Sequence, residues 1–163
     1  MKTTTAFLLF SATSLGCQST TTECDPSALQ EEEAALSIDA AEEAFTATWM
    51  QAGSSLQISL ESPSDDTLLT IRLQRTDDGL TSDDLSAETS YSYQLGSDGG
   101  SLTYYPAGSA ESATTNAENS GQFTLQYFDN QRLAGCFEAT VTNDQPSTVD
   151  ISGTVNATAI SFE

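Results

Sequence analysis

The sequence predicts an all-β protein, an antiparallel sandwich or an up-and-down barrel of roughly eight strands, preceded by a short N-terminal helix. Three observations carry this. From about Phe45 onward apolar residues alternate with polar ones, the period of strands with one face in a core and the other in solvent. Gly, Pro, Asn, Asp and Ser cluster between the alternating runs, where chain reversals belong. No amphipathic helical pattern separates the runs, which argues against a parallel α/β sheet.

The chain opens with an export signal over residues 1–16: one positive charge at Lys2, an apolar stretch over 6–10, then Ser14, Leu15 and Gly16 before Cys17. That stretch is too short to remain as a membrane span. The Leu-Gly-Cys ending resembles a bacterial lipobox, which implies cleavage before Cys17 and lipid on its sulfur. Ser14 stands where lipoboxes usually carry a large aliphatic residue, and an ordinary signal peptidase reading Ser14 and Gly16 would cut the same bond and leave Cys17 bare. Residues 17–24 then form a polar tether, lipid-anchored if Cys17 is acylated, and 25–163 a single β domain, long enough for an ordinary core.

Within the domain, Asp25 can cap a helix, Pro26 suits its first position, and Glu31, Glu32, Glu33, Ala34 and Ala35 are good helix formers. Strands follow. Phe45, Ala47 and Trp49 alternate with Thr46 and Thr48. Leu56, Ile58 and Leu60 alternate with Gln57 and Ser59, and Leu69, Ile71 and Leu73 with Thr70 and Arg72. Further strands are expected near 88–95, 101–106, 120–128, 132–142 and 147–161, with turns at 52–54, 62–66, 97–100, 129–131 and 143–146. A longer connection over 107–119 is rich in Ala, Ser, Thr and Asn.

Three cysteines are an awkward number for an exported chain. If lipid occupies Cys17, then Cys24 and Cys136 remain to form a disulfide between the N-terminal segment and a late strand. The competing Cys17–Cys24 pairing would leave Cys136 free.

The formal net charge is -20. Lys2 leaves with the signal, so Arg72, Arg75 and Arg132 stand against 24 carboxylates. Such a surface repels nucleic acid and anionic headgroups, which need basic patches. The acids are scattered, as expected of a solvated surface. Histidine is absent and the only lysine is Lys2, which removes Ser-His-Asp and Cys-His nucleophiles, histidine-ligated zinc, Schiff-base lysines and the P-loop lysine. The chain reads as a non-enzyme without a resident cofactor.

Two ligand readings remain. Asp77, Asp78, Asp83 and Asp84 offer hard oxygen donors for calcium in a loop. They do not form an EF-hand, because placing Gly79 sixth puts Gln74 first and Leu85 twelfth. Neighbouring aromatics on a strand face opposite sides, so Tyr104-Tyr105 and Tyr127-Phe128 cannot bury both rings in one core. Alternation with Leu102, Phe123 and Leu125 turns Tyr104 and Tyr127 inward. Tyr105 and Phe128 are left as an outer platform for a glycan, peptide or protein, or as rings covered by loops or the helix.

The stretch 121–130, then Arg132-Leu133-Ala134-Gly135-Cys136-Phe137, then Val149-Asp150-Ile151-Ser152-Gly153 resembles the closing strands of small Bacteroidota-like lipoproteins built of one β-meander domain. The resemblance implies fold and address only, with attachment at the outer membrane or cell surface. The expected function is a non-catalytic, membrane-tethered binding or interaction module of the bacterial envelope. The alternatives are a calcium-stabilised structural envelope protein and a carboxylate-dependent hydrolase working through two opposed acids.

Overall fold

Glu31, Glu32 and Glu33 do not sit on a helix. In a computed structural model, which describes residues 24–74, 80–86, 90–96, 99–143 and 147–160, Asp25 caps only one 3-10 turn, Pro26–Ala28, which ends at Leu29. Glu32 then takes a left-handed conformation, φ 67°, and the chain enters a strand, β1, Glu33–Ile38. Under the helix-forming composition lies a period of two: Ala34, Leu36 and Ile38 are buried while Glu33 and Ala35 are exposed. The expected N-terminal helix is thus corrected to a turn and a strand. Two partners, one on each edge of β1, outweigh its weak intrinsic β propensity.

The remaining strands are β2 Ala41–Ala52, β3 Ser55–Glu61, β4 Leu68–Leu73, β5 Tyr91–Leu95, β6 Gly100–Tyr105, β7 Ala113–Thr114, β8 Gly121–Phe128, β9 Arg132–Thr142 and β10 Thr148–Ala159. They form one sheet that closes in a ring. Antiparallel pairings run β2, β3, β4, β6, β7, β9, β10, and β1 seals the ring by pairing with both β10 and β2. A short parallel contact of Thr158 and Ala159 with Thr48 and Trp49 completes the seam. β8 lies on β9 and carries β5 on its far edge. The two strands beyond the expected eight are β1 and the two-residue β7, which falls inside the connection over 107–119.

Following the register around the ring shows how it closes. Thr48 pairs with Ser59, then Thr70, Thr103, Thr114, Thr142 and Thr148. Yet Thr48 itself meets β10 at Thr158, ten residues further along. This offset is the stagger that tilts the strands of a closed barrel.

The inward positions fill the barrel. Leu56, Ile58, Leu60, Leu69, Ile71, Leu73, Leu102, Phe123, Leu125 and Leu133 are fully buried, so the lumen is a packed core. Two glycines permit that packing. A Cβ on Gly135 would strike the Phe123 ring and the Thr124 carbonyl, and one on Gly153 would strike Leu36. Large side chains on one strand thus pass over bare backbone on the next. Leu80, also fully buried, is held by its N–H to the Ser54 carbonyl at 2.7 Å and by the Gln51 amide to its own carbonyl at 3.0 Å.

The β1–β2 reversal runs through Asp39 and Ala40, both left-handed at φ 47° and 67°, the conformation of a two-residue hairpin turn. Ala40 carries a Cβ where glycine would be unstrained. Ala40→Gly is expected to raise stability by about 1 kcal/mol, read as a higher denaturation midpoint at unchanged slope.

Candidate functional site

Because the lumen is filled, a ligand site has to lie on the outside. The outward residues of β1, β10, β9, β8 and β5 line up in rows that cross the strands. One row is Ser37, Ser152, Glu138, Gln122 and Gln94; the next is Ala35, Thr154, Cys136, Thr124 and Ser92. Apart from Ala35 and Cys136, these side chains are hydroxyls and amides, with a single carboxylate. The surface between them and their flanking loops is recessed into a groove of two contiguous lobes, about 810 Å³ and 690 Å³, which share Ser37, Gln122, Glu138 and Ser152.

Carboxylates surround the recess. Asp39, Glu138 and Asp150 line the first lobe, and Glu42, Glu43 and Glu138 the second; among the described residues no arginine lines either. Asp39 is tied down, its Oδ1 accepting the Asp150 N–H at 3.1 Å, while Asp150 Oδ1 accepts the Thr140 hydroxyl at 2.7 Å. The negative field extends beyond the groove. The Tyr104 hydroxyl is pushed above its usual pKa by burial first, then by Glu43, Asp39 and Asp65.

One wall of the second lobe is the disulfide itself. Cys24 and Cys136 are joined, Cα to Cα 5.7 Å, as the cysteine count anticipated. Cys136 faces outward in the row of Thr124 and Thr154, and the Thr154 hydroxyl lies 3.6 Å from its sulfur. From Cys24 the chain passes over Asn156 toward β1. Asn156, 1 % exposed, donates to the carbonyls of Leu29 at 3.1 Å and Gln30 at 2.8 Å and accepts from Arg132 Nε at 2.6 Å. Arg132 lies over the Tyr127 ring, 5.2 Å from its centre, and the Tyr127 hydroxyl donates to Asp129 at 2.7 Å. That bond, reinforced by the N–H groups of Gln131 and Arg132, holds the Asp129 carboxyl below the usual range and raises Tyr127.

The aromatic platform is not assembled. Tyr105 is outward and 44 % exposed, but Phe128 is 3 % exposed and packs edge-on against Trp49 with centroids 5.1 Å apart. A β-bulge at Gln126 is the cause. Leu125 pairs with Gly135, the next pair is Tyr127 with Ala134, and the extra residue reverses the alternation so that Phe128 turns inward and Tyr127 outward.

Asp83 and Asp84 lie in a second 3-10 turn, Ser82–Asp84. Asp84 Oδ2 accepts from the Thr81 N–H at 2.9 Å and hydroxyl at 2.8 Å, a local capping role. Among the described residues no group of three or more His, Cys, Asp or Glu is arranged around a common metal position. Cys17, Asp77 and Asp78 lie outside the described residues.

Comparison with protein families, curated proteins and solved structures finds no match to this chain. Glu42, Glu43, Glu138, Asp150 and Gln122 escape a reading of apolar periodicity. The available signal is the complementary one, short polar residues at every outward position of residues 120–126 and 148–154.

Proposed function

We propose that this chain is a non-catalytic binding module of the bacterial envelope, tethered by lipid on Cys17, that takes an extended cationic peptide into the flank groove. The observation that carries the reading is the groove's makeup: five carboxylates beside a set of hydroxyls and amides, with no cation among the described lining residues. A peptide supplies the matching chemistry, since its N–H groups suit acceptor side chains and its Lys or Arg residues suit the carboxylates. The absence of histidine and the lipobox-like Leu-Gly-Cys support the non-catalytic and tethered parts. No specific observation favours the calcium or hydrolase alternatives over it.

Calorimetric titration with lysine-rich, neutral and acidic decapeptides tests the groove. The lysine-rich peptide is expected to bind, with affinity falling as salt rises. Replacing two carboxylates, Glu42→Gln with Glu138→Gln, should weaken it about tenfold, each exposed charge contributing up to about 1 kcal/mol. Equal affinity for all three peptides would reject the reading. Mass spectrometry of the N-terminal peptide tests the tether, and an unmodified thiol at Cys17 would reject it.

A further inference from the structure

The segment from Cys24 to Glu32 crosses the outside of the barrel as a strap with few contacts of its own. Only Pro26 in it is buried, and its only regular structure is the turn Pro26–Ala28. Two carbonyls rest on the Asn156 amide, and the Glu32 carbonyl accepts the Ala47 N–H at 2.9 Å. The strap adds no strand to the ring, whose closure depends on β1, β2 and β10. Its one covalent hold is the Cys24–Cys136 disulfide, half-buried and lining the acidic groove.

We propose that this disulfide is a reducible clasp. A low-molecular-weight thiol entering the groove opens it and frees the strap while the ring of strands stays closed, and the surrounding carboxylates favour thiols that carry a positive charge. The Gln126 amide donates to Cys24 Sγ at 2.9 Å, so charge developing on that sulfur meets a donor, which makes Cys24 the leaving group. The incoming thiolate therefore attacks Cys136 Sγ, forming a mixed disulfide and expelling Cys24 as thiolate. A second thiolate attacks the small molecule's sulfur in the mixed disulfide, releasing Cys136 as thiolate and the oxidised small disulfide. Two thiols lose the two electrons that the clasp gains, and water protonates the cysteines.

With the clasp closed, Cys24 is pinned to the flank at Cys136; with the clasp open, residues 24–32 are tied to the ring through the start of β1. The freed residues lengthen the reach of anything attached upstream by about 30 Å, at roughly 3.3 Å per residue. The inference uses the charge of the groove and is independent of the peptide that fills it, so failure of peptide binding leaves it standing.

The test is reduction of the native, oxidised protein at low salt by cysteamine and by 2-mercaptoethanesulfonate, each rate divided by that thiol's rate on a neutral linear disulfide. Cysteamine is expected to react about tenfold faster, a steering effect that fades in high salt. Hydrogen exchange on the reduced protein should show lost protection over 24–32 with β3, β9 and β10 unchanged. Equal normalised rates at low salt, a disulfide untouched by either thiol, or loss of protection across β9 and β10 along with the strap would each overturn the proposal.

Discussion

Reducing the Cys24–Cys136 disulfide should lower the free energy of unfolding by about 4 to 5 kcal/mol. The bond closes a loop with a sequence separation of 112 residues, and the entropy denied to the unfolded chain grows with the logarithm of that length. Little of the effect should come from the folded side, because the strap it holds has so few other contacts. A domain of this size usually has between about 5 and 15 kcal/mol in hand, so the reduced barrel should stay folded at room temperature and melt roughly 10 to 20 °C lower. Scanning calorimetry of oxidised and reduced protein at one pH measures the difference. A loss under about 1 kcal/mol would mean that the unfolded chain is already compact around the two cysteines, or that they are unjoined in the protein.

Truncating Phe128 should cost about 3 to 5 kcal/mol, while truncating Tyr105 should change stability by less than about 0.5. Phe128→Ala empties a fully enclosed site at the end of β8 and removes the edge-on contact with Trp49, itself worth about 0.5 to 1.5 kcal/mol beyond area. Tyr105 pairs across the sheet with Leu68 and is 44 % exposed. The contrast reads out the bulge directly: an unbulged β8 would expose Phe128 and bury Tyr127, reversing the roles. Urea denaturation of Phe128→Ala, Tyr127→Ala and Tyr105→Ala distinguishes the two registers, and a small effect of Phe128→Ala would rule out the bulged one.

The strands with a strong apolar alternation were legible. β3 and β4 carry a large apolar residue at every second position, and β2, β6, β9 and β10 keep that period with Ala or Gly at some inward positions, and no helical period competes with them. β1 was hidden because Glu and Ala favour helices locally, whereas the deciding term is pairing on both edges, with the adjacent hairpin strand at 41–46 and with residues 151–156 far along the chain. β7 has two residues and no period at all. The bulge left no mark, since Gln126 is an ordinary polar residue and only its partners on β9 show that it is supernumerary. The disulfide was legible from counting thiols, a matter of chemistry rather than position. The groove was not, because Ser37, Ser152, Glu138 and Gln122 become neighbours only through the register of four strands.

The flank groove as the seat of a cationic chain is the central claim, and amide chemical-shift mapping tests it most directly. Titrating a lysine-rich decapeptide into isotope-labelled protein at low salt should shift the backbone amides of Gln122, Glu138, Ser152 and Thr154 together with those of Glu42 and Glu43. Amides of Thr70, Arg72 and Thr103, outside the groove on β4 and β6, should stay in place. Shifts scattered over all acidic surfaces, or concentrated around Thr70 and Thr103, would contradict the claim.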